Sequence, residues 1–317
     1  MLIGVFKSNQ KVVSVLVIIL SIFLWIPSFW LDTNEVLKIN NLPFYLNQGV
    51  ISFTISSLLI GIQGVYLNYI VNEFKLLVNR TSLPGLFFVV FNAGISLILV
   101  FTPIIIVNTL IIVVVHSFFL VYNKDNAFGL SFNVGFVLSI ASLIYFPSIV
   151  LFPLFWFVLL YLKSPNWRDF IISILGFLVP VIFYISYYFI NSNLEMLIGL
   201  KYNYQIFSTD FTNDKSQIGF IFFYVVFVLG VMAVANTIKT ISTQIVSVRK
   251  NILILAGLAF LLIITWCLTA DAIAVYILIT IPIAVFFAIF FNNIKRKWLA
   301  ELLFTCLLGS IIIGYFS

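Results

Sequence analysis

Charged residues fall in short clusters along the chain, and almost every stretch between clusters is a run of Ile, Leu, Val and Phe. These runs are about 18 to 22 residues long, the length a helix needs to cross a hydrocarbon core. They predict helical spans at 12–31, 50–71, 83–100, 104–122, 129–146, 148–162, 169–190, 218–237, 252–269, 272–291 and 298–316. Two of the divisions come from length. The apolar stretch from Leu83 to Tyr122 would form a helix of about 60 Å, twice the bilayer core, so it must break, and Thr102-Pro103 supplies the place. The stretch 129–162 divides near Pro147, because proline has no amide to donate and disfavours helix in the residue before it. The predicted fold class is all-α: a polytopic transmembrane helical bundle of about eleven helices, forming a single integral membrane domain over 1–317.

Charge tests this count independently, because Lys and Arg in short loops favour the cytoplasm. With the amino terminus inside, Lys7, Lys11, Lys75, Arg80, Lys124, Lys163, Arg168, Lys239, Arg249, Lys250, Lys295, Arg296 and Lys297 are cytoplasmic, and only Lys38, Lys201 and Lys215 face outward. A miscounted span would reverse every later loop and destroy that asymmetry. The amino terminus is therefore expected in the cytoplasm and the carboxy terminus outside, in a bacterial inner (cytoplasmic) membrane. Lys7 and Lys11 before Val12 to Trp30 imitate a signal peptide. The run is too long for a signal core and no A-x-A-like site follows, so it reads as an uncleaved first helix. Among the outward segments, Asn191 to Gln217 carries Leu194, Leu197, Ile198 and Lys201 at helical spacing, followed by Tyr202, Tyr204, Phe207 and Phe211. This pattern predicts a short helix lying on the outer surface.

Composition narrows the classes further. Of the 317 residues 63% are apolar and 8% charged, against about 25% charged in soluble domains, so the lipid bilayer is the first partner. The net charge of +6 sits in short loops and forms no basic face, which excludes nucleic acid. Cys267 and Cys306 fall inside predicted spans, read as small core residues, and offer neither a disulfide framework nor a CxxC site.

The most suggestive polar group is Trp30-Leu31-Asp32-Thr33-Asn34-Glu35, two carboxylates at the outer mouth of the first span. Such a pair can act as a general base or bind a divalent cation. The same spacing also suits a helix cap, with Asp32 accepting from free amides and Glu35 in the first turn. Asp210, Asp214 and Lys215 form a second outward cluster, and Asp271 lies at an outward turn close to membrane depth, where ionisable groups tend to be functional. His116 is the lone histidine; without a carboxylate in mid-span it suits hydrogen-bonded packing better than a proton relay. Gln63, Asn68, Asn92, Asn108, Asn133 and Asn236 read as interhelical hydrogen-bond glue, and Gly135 and Gly176 as points of close backbone approach. Asn79-Arg80-Thr81 fits the glycosylation sequon on the cytoplasmic side, where it carries no meaning.

Asn126-Ala127-Phe128-Gly129 through Gly135, Ala141 through Pro147, Arg168-Asp169 and Leu175-Gly176-Phe177-Leu178-Val179-Pro180 form a pattern. It resembles an uncharacterised family of bacterial polytopic inner-membrane proteins of about 300 residues, a likeness that brings no activity with it. A second resemblance is to the GT-C superfamily of membrane glycosyltransferases. It rests on the inside amino terminus, the acidic residues after the first span, the hairpins at Thr102-Pro103 and Pro147, and the basic turn before a Gly-containing span. That resemblance implies a GT-C-like enzyme using a polyprenyl-phosphate-linked sugar at the outer face. Asp32 or Glu35 would be the catalytic base, with Lys201, Lys215 and Asp271 at the substrate. The alternative is a non-catalytic membrane subunit or scaffold that binds other membrane proteins in a multiprotein envelope complex. A transporter is disfavoured by the absence of mid-span carboxylates and inverted repeats.

Overall fold

A computed structural model describes residues 2–7, 11–29, 50–94, 101–122, 127–162, 166–191, 219–269 and 272–316. Among them there is no strand, and each of the expected spans contains helix. In chain order the helices are α1 (Leu2–Phe6), α2 (Lys11–Trp25), α3 (Val50–Glu73), α4 (Leu83–Ala93), α5 (Pro103–Val121), α6 (Phe128–Ile144), α7 (Leu151–Leu162), α8 (Trp167–Ile190), α9 (Gly219–Ile241), α10 (Val246–Leu268), α11 (Ala272–Asn293) and α12 (Lys297–Phe316). Short 3₁₀ turns follow α2 at Ile26–Phe29 and precede α7 at Phe146–Val150. Among the described residues, six helices, α3, α5, α8, α9, α10 and α11, hold stretches long and apolar enough to cross a membrane. The protein is an all-α helical bundle of the multi-pass membrane type.

Both proline breaks act as expected. Pro103 opens α5, and the Ile105 amide donates to the Thr102 carbonyl at 3.0 Å. At the second break α6 stops at Ile144, Tyr145 is extended (φ −137°, ψ 99°), and Pro147 sits in the first turn of the 3₁₀ segment.

Two boundaries differ from expectation. Helix α4 ends at Ala93, where Gly94 turns back to donate to the Phe91 carbonyl; a side chain at Gly94 would overlap the Phe222 ring. Helix α10 starts at Val246, six residues before the expected 252, so Arg249 and Lys250 are helical. A helix satisfies its own backbone and can run on into the headgroup layer with charges attached. Arg249 Nη2 donates to the carbonyls of Ser242 and Gln244, both at 3.4 Å, in the turn after α9. The short helix α1 was not foreseen, and the surface helix expected within 191–217 falls outside the described residues.

The chain divides into two compact units. The first comprises Met1–Ile105, Asp210–Ile252 and Ile279–Ser317. In it α2 and α3 run antiparallel: Ser21 Oγ donates to the Ser57 carbonyl at 2.9 Å, while a Cβ on Gly61 would lie 3.2 Å from Ile18 Cα. Helices α3 and α4 meet where a Cβ on Gly85 would overlap the Gly64 carbonyl. On α11, Thr280 meets Asn92 and Phe287 meets Phe91 (centroids 4.7 Å), while Phe291 meets Phe87 (4.7 Å). One number falls as the other rises, so α4 and α11 are antiparallel too. All eleven residues of α4 are buried, as befits a helix that is apolar on every side.

The second unit comprises Ile106–Thr209 and Leu253–Leu278. Its centre is the packing of α6 on α8. A Cβ on Gly135 would overlap the Ser173 carbonyl, and one on Gly176 would overlap the Phe132 carbonyl. Each glycine lets the partner backbone in, which is the role the sequence suggested. Aromatic rings of α7 flank them, with Phe152 against Phe177 (4.9 Å) and Trp156 against Phe170 (6.0 Å).

Candidate functional site

Asp32, Glu35, Lys201, Lys215 and Asp271, the residues singled out for chemistry, lie outside the described residues, as do Lys38, Asp210 and Asp214. Two sets stand out among the polar groups that are placed: an interior seam that joins helices, and a basic edge.

Lipid offers no hydrogen bonds, so a polar side chain inside a bundle must find its partner in another helix or in its own backbone. Asn68 Oδ1 accepts from the Gly85 amide at 2.6 Å, at the point where α3 and α4 approach. Gln63 Nε2 donates to the Ile105 carbonyl at 2.9 Å, and Asn92 Nδ2 donates to Thr280 Oγ1 at 3.1 Å and to the Phe88 carbonyl at 2.8 Å. These three amides are the expected glue. In the second unit Trp156 Nε1 donates to Ser173 Oγ at 3.1 Å, and that hydroxyl donates to the Phe170 carbonyl at 2.7 Å. Each such bond is worth about 0.6 to 1 kcal/mol between membrane helices, so the seam sets register more than it sets total stability.

The other amides depart from the expected role. Asn108 is wholly buried in α5, and neither atom of its amide has a hydrogen-bond partner among the described residues. Asn133 lies on an exposed face, and half-buried Asn236 contributes its main-chain carbonyl to Thr240 Oγ1. Cys267 and Cys306 are exposed on α10 and α12 rather than in the core; a small apolar side chain is as well placed against lipid as against protein. His116 is half-buried on α5.

Asp169 is a buried carboxylate that sequence reading did not single out for a role; it is 1% exposed in the first turn of α8. Asn166 caps that helix, its side chain accepting from the Arg168 amide at 3.2 Å. The signal was present as Asn-x-x-Asp, a capping-box spacing in which the N3 acid sits at the positive end of the helix. Among the described residues no group of three or more His, Cys, Asp or Glu could hold a metal ion.

The basic edge belongs to the first unit. Helix α1 is anchored by buried Ile3 and Phe6, and the Phe6 carbonyl accepts from the Ser82 amide at 2.9 Å. The loop after α3 is pinned again by Asn72, whose amide donates to the Thr81 carbonyl (3.0 Å) and accepts from its N–H (3.1 Å). Lys75 occupies the left-handed region (φ 52°), and the Leu76 amide reaches back to the Val71 carbonyl, closing α3 as a Schellman turn does. Burial, and then the charge of Lys297, hold the Lys7 ammonium below its ordinary value.

No curated protein and no solved structure matches the chain, so the likeness to GT-C glycosyltransferases gains no support from them. Comparison with family-wide sequence patterns matches residues 1–317 to the family of unknown function DUF6427, and because that match covers the whole chain, this multi-pass helical protein belongs to that family.

Proposed function

We propose that the chain is a non-catalytic membrane subunit of the bacterial inner membrane, binding other membrane proteins in an envelope complex. One observation carries this reading: in the interior seam, Ser21, Gln63, Asn68, Asn92 and Trp156 each tie one helix to another. Such a core is a framework. The long faces of α8 and α9, with Phe183, Tyr187, Phe189, Tyr224 and Phe227 exposed, suit contact with lipid or with other membrane helices. Cytoplasmic placement of the amino terminus rests on the Lys and Arg bias. The antiparallel pairs α2/α3 and α4/α11 support the alternation that this topology needs.

A second reading, an outer-face glycosyltransferase acting on a polyprenyl-phosphate-linked sugar, is favoured by one feature. Helix α2 runs through a 3₁₀ turn to Phe29, so Asp32 and Glu35 follow this apolar helix within a few residues in the chain. Either would serve as base, with Lys201, Lys215 and Asp271 at the substrate and a divalent cation between carboxylates. Native mass spectrometry on protein extracted gently from its own membrane separates the two. Stoichiometric protein partners without a polyprenyl-phosphate species support the subunit, and a retained species of that class overturns it. If Asp32→Asn, Glu35→Gln and Asp271→Asn each complement a deletion fully, catalysis by the outer acidic group is untenable.

A further inference from the structure

The basic edge brings together cations from three separate stretches of chain. Lys7 follows Phe6, whose carbonyl is bonded to the Ser82 amide, and Arg80 lies two residues before Ser82. Helix α1 also packs against α12, whose first residue is Lys297, after Lys295 and Arg296. Across residues 2–7, 73–82 and 294–301 there are six cations, Lys7, Lys75, Arg80, Lys295, Arg296 and Lys297, against two carboxylates, Glu73 and Glu301. Glu73 already accepts from the Tyr69 hydroxyl. Like charges repel, and three of these cations sit at the amino end of α12, where the helix dipole adds to the positive potential. Such an arrangement is unfavourable by itself and is relieved by an anion.

We propose that Lys7, Arg80 and the 295–297 turn form a binding site for the phosphate headgroup of an anionic phospholipid. The loop is held in place by the Asn72 clamp and the Phe6–Ser82 bond, so the backbone that carries Lys7 and Arg80 needs little reordering to receive the phosphate. The neighbouring apolar groups select a lipid over a free ion: Trp298 is 61% exposed next to Lys297, and Val78 is 78% exposed in the loop. Exposed tryptophan suits the headgroup level of a bilayer, and basic clusters at that level recognise anionic lipids.

The test places the full chain in nanodiscs of phosphatidylcholine containing a rising fraction of phosphatidylglycerol and counts retained lipid by native mass spectrometry. The wild type should retain phosphatidylglycerol in preference to phosphatidylcholine. The double variant Lys7→Gln/Lys297→Gln should bind it about 25-fold more weakly, about fivefold for each charge near the surface. Lys7→Arg/Lys297→Arg should restore binding, and Lys239→Gln should leave it unchanged. If the glutamine variant fails to fold, wild-type retention must still fall as salt screens the contact. Equal retention of the two lipids, an unaffected glutamine variant or salt-insensitive retention overturns the proposal. So does displacement by inorganic phosphate as effective as by lipid, which would make this a site for the free anion.

Discussion

Helices α4 and α8 are both rich in Leu, Val and Phe, yet they are buried in opposite ways. Every residue of α4 is enclosed, with Phe87, Phe88 and Phe91 at or near zero exposure. Along the 24 residues of α8 only Asp169, Ser173, Gly176 and Pro180 are buried, while Ile182 and Phe183 are 57% and 73% exposed. In water the apolar side of a helix is driven inward. In lipid that drive is absent, because acyl chains are as apolar as leucine; small and polar residues go inward for close approach and hydrogen bonding. The buried stripe of α8 is therefore its least hydrophobic one.

Truncating one phenylalanine in each helix should separate the two most strongly. Phe87→Ala should cost about 3 kcal/mol, because it leaves a cavity among Phe91, Phe287, Phe291 and Phe304. Phe183→Ala should cost less than about 0.5 kcal/mol, as at a surface site. Unfolding of the purified protein by dodecyl sulfate measures both, and equal losses would mean that the face of α8 is covered by protein.

A smaller effect comes from adding one carbon to a glycine. Gly176→Ala drives a methyl into the Phe132 carbonyl and should cost about 2 kcal/mol by overpacking. Gly309→Ala, with open space around its Cβ, should be neutral or gain up to about 0.5 kcal/mol from helix propensity. The same unfolding assay reads both, and a tolerated Gly176→Ala would show that α6 and α8 can part without loss.

The smallest effect concerns the edge of the first unit. Burial and Lys297 lower the Lys7 ammonium from its ordinary 10.5, so between the two values the unfolded chain binds the proton more tightly. Stability should then rise with pH through that window, level off above 10.5, and be lost as pH falls back through the folded value. Lys297→Gln removes the second cause and should flatten the rise. Unfolding midpoints across alkaline pH check it, and an unchanged slope in the variant would detach Lys7 from Lys297.

Much of the framework was legible. The breaks at Pro103 and Pro147 follow from chain length against bilayer thickness and from the missing proline amide. Gly135, Gly176, Gln63, Asn68 and Asn92 were readable because in lipid such residues have few other uses. Asn108 shows the limit: it has the same chemistry as Asn92, but only the packing decides whether a hydroxyl such as that of Thr280 stands opposite. The exposure of Cys267 and Cys306 was illegible for the same reason that α8 turns its phenylalanines outward, since both sides of a membrane helix are apolar. The candidate site divided likewise. The cations were visible one by one, but not that α1 would bond to the loop at Ser82 and pack against α12, bringing the stretches that carry Lys7, Arg80 and Lys297 together.

By itself, the sequence determined that the chain is helical and membrane-spanning, where it breaks, and which ends of its helices are basic. All of these follow from local composition measured against a solvent of fixed thickness. Tertiary structure alone decided which helix is enclosed, which amides find partners and which cations share an edge. Those depend on contacts between residues far apart in the chain, for which hydrophobicity in an equally hydrophobic solvent carries no signal.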